Sequence, residues 1–321
     1  MVALPAVPIV AEESPIATAS LMRRLALACL LAAYPVAAAE PVRLVLLGTA
    51  GGPTPKAKRA APAEALEIGD RVYVIDCGNG VGRQLALAGL PLDHVREIFV
   101  THHHSDHTAD LTTLPLLLWG TSLQGTLGIH GPPPLARSVK AGLKASAFDI
   151  AARVKDEGRT PLPQQLRVDE FRHDGVVFKD DRVTVTAARV DHPPIEQAYA
   201  YRFDARDRSI VFSGDTAPSA SLVRLARGAD VLVHEVLLLD RDEVAAWLKL
   251  PSDDPLVRHI VSSHTSYRDV GRIARDAGVK TLVLTHFVPG NLDVDRDRVV
   301  GEIRKTFAGE IVLGEDLMEV K

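Results

Sequence analysis

One short stretch constrains this chain more than any other: Thr101-His102-His103-His104-Ser105-Asp106-His107. Four side chains able to bind metal, His102, His104, Asp106 and His107, fall within six residues. Upstream, residues 97–101 form an apolar, partly β-branched run that predicts a buried strand. Downstream, residues 108–119 carry apolar side chains at helical spacing. The cluster therefore falls in a strand-to-helix loop, where imidazoles and a carboxylate can converge on a point. Neutral imidazole with carboxylate suits zinc, or a similar first-row ion, better than magnesium or calcium.

The pattern His102-x-His104-x-Asp106-His107 resembles the first metal motif of the metallo-β-lactamase fold superfamily. The other motifs of that family are sought downstream. His192 ends a predicted strand in Arg189-Val190-Asp191-His192 and precedes Tyr199-Ala200-Tyr201-Arg202-Phe203. In Ser213-Gly214-Asp215-Thr216 a strand delivers a carboxylate into a glycine-opened turn. The buried run 281–285 ends in His286. Sorted by the family pattern, the resemblance implies His102, His104 and His192 on one ion and Asp106, His107 and His286 on the other, with Asp215 bridging. It implies two zinc ions, with manganese or iron as alternatives, and leaves His103 pointing away into packing. Val231-Leu232-Val233-His234-Glu235 and Ser263-His264-Thr265-Ser266 resemble paired motifs of the ribonuclease Z-like branch, which includes type III arylsulfatases. There Glu235 would orient His264 as a general acid, with Asp106, His264 and Glu235 as the catalytic group and His234 structural. His94, His130, His173 and His259 have no motif around them and are assigned to surface or satisfied polar positions.

The element pattern agrees with an α/β sandwich of two mixed β-sheets flanked by helices. Strands are predicted at 42–47, 66–68, 72–76, 126–130, 166–171, 176–178, 182–190, 198–203 and 209–213. Past Asp215 the rhythm changes to helix and strand in alternation: 217–227, 231–234, 267–277, 281–285 and 296–307. One helix is expected over 135–148, followed by a charged, proline-bearing loop to Pro163. The turn at 48–53 is read as a rim loop, because Pro53 and Pro55 oppose a helix.

The front end reads as a secretory signal. Arg23-Arg24 precedes an apolar run at 25–33 too short to span a bilayer, and Ala37-Ala38-Ala39 supplies a cleavage site. Residues 1–39 are thus an extension and signal, with Met22 the better start, and 40–321 the hydrolase domain, periplasmic or secreted and without a stable membrane anchor. Cleavage removes Glu12, Glu13, Arg23 and Arg24, so the formal charge stays at −4. Cys29 leaves as well, and Cys77 remains as a buried small residue without a disulfide partner.

His192 and Asp215 lie only 23 positions apart, which leaves no room for the long arm of transfer-RNA-processing members. Together with the acidic balance and the signal, this predicts a small-molecule ester substrate, no transfer RNA, and a homodimer at most. The leading expectation is hydrolysis of sulfate or phosphate esters, arylsulfatase-like, by a hydroxide bridging the two ions. The alternatives are carboxyl substrates (lactone, ester or β-lactam) and a nuclease or phosphodiesterase of the ribonuclease Z-like branch. Trp119, Tyr267, Phe287 and Trp247 are candidate walls of an apolar pocket, and substrate choice is placed in the loops 54–63, 116–124 and 147–163.

Overall fold

Alternating side chains explain the layering. In the first strand Leu44 and Leu46 enter one buried cluster while Val45 and Leu47 enter another. A strand covered on both faces needs apolar residues at every position, which is why it reads as a continuous run. The computed structural model describes residues 41–121 and 123–321. The segment read above as a signal and the expected boundary at residue 39 lie outside the described residues.

The first half supplies β1 (Val42–Gly48), β2 (Ala63–Ile68), β3 (Arg71–Ile75), β4 (Val95–Phe99), β5 (Leu127–Gly131) and β6 (Leu166–Glu170). The second supplies β7 (Gly175–Lys179), β8 (Val183–Arg189), β9 (Tyr199–Ala205), β10 (Ser209–Phe212), β11 (Val231–Leu237), β12 (Thr281–Val288), β13 (Glu310–Leu313) and β14 (Met318–Val320). They form two seven-stranded mixed sheets, ordered β14-β1-β2-β3-β4-β5-β6 and β13-β12-β11-β10-β9-β8-β7. In each sheet one side is antiparallel and the other parallel.

The helices are α1 (Val81–Leu87), α2 (Ser105–Thr108), α3 (Thr113–Thr121), α4 (Leu135–Ala145), α5 (Ala147–Glu157), α6 (Ala220–Leu225), α7 (Arg241–Leu248), α8 (Pro255–Ser263), α9 (Val270–Ala277) and α10 (Arg296–Arg304). Leu85 of α1, Leu114 of α3 and Val139 of α4 cover the first sheet. Leu222 of α6, Ile273 of α9 and Ile303 of α10 cover the second. Between the sheets Phe99 meets Phe203 edge to face at 5.1 Å and Tyr201 at 5.6 Å, the offset geometry that aromatic quadrupoles favour. The Tyr201 hydroxyl donates to the Val100 carbonyl at 2.6 Å, so its polar tip is satisfied in the core.

The sandwich is as expected, but three elements are not. The helix expected to stop at Phe148 breaks at Ser146 instead, and α5 runs on through the supposed loop. Arg153 pairs with Asp149 and Glu157 at i±4 along it, and Gly158 closes it in a left-handed conformation. The helix expected over 108–119 starts later, as α3, and the short α2 before it overlaps the His102–His107 motif. No element was expected between Glu235 and Tyr267, where α7 and α8 stand.

Candidate metal centre

Strand ends place the ligands. The loop after β4 carries His102, His104, Asp106 and His107, the loop after β8 carries His192, the turn after β10 carries Asp215, and His286 lies in β12. His286 gets there by a bulge. Glu235 pairs with Thr285 and Val236 with Phe287, so His286 is an extra residue, at φ 43°. A bulge of this kind re-aims one side chain without ending the strand. Gly214, at φ 57°, opens the turn before Asp215, and a Cβ there would come within 3.0 Å of Thr101 Cβ and the Tyr199 carbonyl.

Nitrogens crowd in two groups. His104 Nδ1 lies 3.1 Å from both His102 Nε2 and His192 Nε2. His107 Nε2 lies 3.1 Å from His286 Nε2, and Asp106 Oδ2 is 3.4 Å from the latter. Asp215 spans the two groups. Its Oδ1 is 3.3 Å from His107 Nε2 and 3.2 Å from His286 Nε2, while its Oδ2 is 3.9 Å from His102 Nε2 and 4.0 Å from His192 Nε2. The sets His102, His104, His192, Asp215 and Asp106, His107, His286 could each hold a metal ion.

The donor chemistry fits a cation at each. Nitrogens bound to one tetrahedral zinc at 2.0–2.1 Å stand about 3.3 Å apart, close to the spacings here. Asp215 Oδ1 is buried without a hydrogen-bond partner, which a carboxylate tolerates only with a compensating charge. Burial pushes the His102 imidazole well below its ordinary range and His192 down to about 4, keeping both in the neutral form that ligates. Burial opposes ionisation of Asp215, but His286 and His107 hold it well below the usual carboxylate range.

The supporting shell is largely one residue, Asp76, which the motifs above left unassigned. At φ 59° beyond β3, it accepts from the Thr101 backbone N–H and Thr101 Oγ1, both at 2.8 Å. Its Oδ2 also stands 2.7 Å from His107 Nδ1, while Thr101 Oγ1 lies 3.0 Å from His102 Nδ1. His192 Nδ1 meets the Ser263 carbonyl at 2.9 Å. Each contact fixes which ring nitrogen is left for the site. His103 points away, its Nε2 at 2.8 Å from the Pro132 carbonyl.

His264 Nδ1 stands 3.3 Å from Glu235 Oε2, within ion-pair reach but not aligned as a hydrogen bond. Glu235 Oε1 accepts from the Thr265 N–H at 2.6 Å, which holds the carboxylate in place. Burial pulls the His264 imidazole down, but Glu235 and Asp215 outweigh it and raise it to about 9. His234 is buried with Nδ1 at 2.7 Å from the Glu235 carbonyl, in keeping with a structural role.

A cavity of about 500 Å³ opens over this ring, reaching His104, Asp106, Asp215 and His264. Its walls are residues 51–56, residues 288–291, and Trp247, Leu248, Leu256, His259 and Ile260. Of the four expected wall residues, Trp247 lines it, whereas Trp119, Tyr267 and Phe287 are packed in the core. The loop at 54–63 contributes Thr54, Pro55 and Lys56, while none of the described residues of 116–124 and 147–163 lines the cavity. His259, assigned to a surface or satisfied polar position, lies beside the site with its ring centroid 6.2 Å from that of His104.

Fold and ligand geometry together define a metal-dependent hydrolase of the metallo-β-lactamase fold, and residues 71–287 match the family described as "Beta-lactamase superfamily domain". The chain belongs to this family, in its ribonuclease Z-like branch. It is 36% identical to a ribonuclease Z of Mycobacterium sp. (strain KMS) over 282 residues, which cover 87% of this chain and 96% of that protein. In fold it is similar to the metallo-β-lactamase fold protein YhfI from Bacillus subtilis, with a TM-score of 0.64 at 21% identity covering 88% and 100% of the two chains. It is likewise similar to the short form of human tRNase Z, with a TM-score of 0.63 at 22% identity covering 87% and 98%.

The exclusion of transfer RNA, and with it the small-molecule ester as partner, does not stand. A protein that bears the name ribonuclease Z matches along 96% of its length, leaving little room for a long arm. The connection from His192 to Asp215, closed by the β9–β10 hairpin, is therefore compatible with that name. Net charge was also the wrong scale, because nucleic acid responds to the local field at the site. Here Lys56 lines the cavity.

Proposed function

We propose that this protein is a ribonuclease that hydrolyses RNA phosphodiester bonds, transfer-RNA precursors among them, at a centre of two zinc ions. The observation that carries the reading is the bridging geometry of Asp215, one oxygen toward each nitrogen group, beside the His264–Glu235 pair. The relationship to ribonuclease Z proteins supports phosphodiester over sulfate or carboxyl esters.

His102, His104 and His192 would hold one ion, Asp106, His107 and His286 the other, and Asp215 would join both sets. Such a pair of ions supplies Lewis acidity and an activated water when bound. The chain's own residues do the rest. Asp76 keeps the His107 imidazole oriented. His264, steadied through Nδ1 by Glu235, presents its other nitrogen toward the cavity and gives a proton to the departing oxygen. Lys56, in the lining of the same cavity, adds positive charge there.

The test is direct. Purified protein loaded with zinc is assayed on a transfer-RNA precursor, bis(4-nitrophenyl) phosphate, 4-nitrophenyl sulfate and 4-nitrophenyl acetate, with metal content measured in parallel. Cleavage of the precursor and the diester, lost on chelation and restored by metal, is expected. A zinc-loaded enzyme that turns over the sulfate or acetate and leaves both phosphodiesters intact would refute the reading.

A further inference from the structure

Residues 238–263 form an excursion that no metal ligand requires. It is pinned at its base: the Leu237 N–H donates to the Thr265 carbonyl at 2.8 Å and the Tyr267 N–H to the Leu237 carbonyl at 2.9 Å. Between these points α7 and α8 pack on each other through Val244, Ala245 and Val257, joined by Leu237 and Val288. The hairpin is thus a firm attachment to the site.

Its free face is unusual in what it shows. Leu256, His259 and Ile260 lie at i, i+3 and i+4 of α8, one face of a helix, and all three line the cavity with Trp247 of α7. Trp247 is 38% exposed and Leu256 46%, in the lining of a cavity that also reaches His104, Asp106 and Asp215 of the candidate ligand sets. His259 continues this face inward, its ring 6.2 Å from that of His104 and 6.5 Å from that of His192. Lys56 and the 51–55 backbone are also part of the lining, the Lys56 ammonium donating to the Gly52 carbonyl. The cavity therefore offers both apolar surface and positive charge. A cavity of about 500 Å³ is in the range that encloses a small organic molecule. The ligand it matches has an anionic group for the candidate metal centre and Lys56 and a flat, apolar-faced ring beside that group.

We propose that the α7–α8 hairpin is a nucleobase-binding subsite: the base of the nucleotide on the leaving side of the scissile phosphodiester packs on Trp247 between Leu256 and Ile260. The leaving side is assigned because His264, the proton donor to the departing oxygen, caps the C-terminus of α8 itself and lines the same cavity. The bond broken is P–O3′, so the leaving nucleoside keeps a 3′-hydroxyl and the phosphate stays with the other product. His259, between the apolar wall and the ligand ring, contacts that nucleotide's ribose. Stacking of this kind accepts any base, since every base has a π-face. The assignment deepens the phosphodiesterase reading and rests on it.

Tryptophan fluorescence tests it without turnover. The chain has two tryptophans, and Trp119 is buried, with its Nε1 donating to the Thr160 carbonyl at 2.8 Å. Zinc-loaded protein is titrated with adenosine 3′-monophosphate and, as the base-free control, ribose 3-phosphate, with affinities measured by calorimetry. The nucleotide should quench and bind about tenfold or more tighter than the sugar phosphate. Trp247→Ala should lose the quenching and bring the two affinities together, whereas Trp247→Phe, which keeps a ring, should lose the quenching but retain the preference. Equal affinity of the two ligands for the wild type, or a Trp247→Ala loss shared equally by both, would overturn the subsite.

A kinetic arm separates the two readings. The dinucleotide ApU, whose adenosine leaves when the P–O3′ bond breaks, is compared with its analogue lacking the adenine base, and the products are identified as a free 3′-hydroxyl and a 5′-phosphate. The wild type should favour ApU in kcat/KM by about ten- to hundredfold, and Trp247→Ala should reduce that ratio toward one. If the protein prefers adenosine monophosphate yet cleaves neither dinucleotide, the phosphodiesterase reading falls while the base site stands. If it cleaves both equally, the site falls and the reading stands.

Discussion

Asp76 gathers Thr101 and His107 onto one buried carboxylate, so the first loop and its ligands depend on it. Asp76→Asn keeps the shape but removes the charge opposite His107 Nδ1. Loss of such a partner commonly costs about 10- to 100-fold in metal affinity, and competition with a chromophoric chelator should show a loss in that range. His264→Ala should behave differently. It also lies within reach of Asp215 and His286, but the seven other candidate ligands make up both sets without it, so zinc content should stay near normal while turnover falls. General acid catalysis contributes about a hundred- to ten-thousandfold, so the loss should be that large for diesters with poor leaving groups and small for nitrophenolate. A flat mutant-to-wild-type ratio across aryl phosphodiesters of graded leaving-group pKa would show that His264 is no acid.

At the scale of elements, the missed pieces carried legible signals. Asp240 accepts from the backbone at the start of α7 while Glu243 reaches back to the Asp240 N–H at 2.7 Å, a capping box spelled Asp240-Arg241-Asp242-Glu243. Asp254 caps α8 ahead of Pro255, a residue suited to a first helical position. Asp240→Ala should therefore lower stability by about 1 kcal/mol, read as a shift in the urea midpoint at unchanged slope. It also removes the Arg268 and Arg298 partner, but exposed pairs add little. The bulge at His286 had no such signal. An alternating apolar run gives the strand, and only pairing with β11 shows that one residue is extra.

Across the whole molecule, the inter-sheet core meets the site at Glu64. This residue is buried between the sheets, with Oε1 at 3.4 Å from Thr285 Oγ1. Burial, helped by Asp76, raises its carboxyl from an ordinary 4.5 to about 8. A carboxyl raised on folding contributes stability that is complete below about pH 4.5 and lost as pH rises through about 8. In metal-free protein Glu64→Gln should thus match the wild type near pH 5 and exceed it at pH 8.5. At about 1.4 kcal/mol per unit the difference spans several kcal/mol. Urea midpoints of both proteins at the two pH values check the sign; parallel curves would mean that Glu64 is not held neutral. The N-terminal segment makes a separate demand. Arg23-Arg24, the apolar run and Ala37-Ala38-Ala39 predict that protein from native cells begins at Glu40, and N-terminal sequencing showing Met1 or Met22 would remove export.

The sequence by itself determined the ligand types and their order along the chain. Metal chemistry needs particular side chains, and those in residues 102–107 are close neighbours whatever the rest of the fold does. It also determined the two-sheet sandwich, because strands buried on both faces are written as unbroken apolar runs. Tertiary structure decided what depends on distance across the chain. Asp76 is 31 positions from His107, and nothing local marks it as that ring's partner. His259 reads as a surface or satisfied polar residue until the pinned base at Leu237 and Thr265 sets the hairpin beside the candidate ligands. Nor could total charge or the length of one connection say which substrate fits, because recognition is set by the few groups that converge on the cavity.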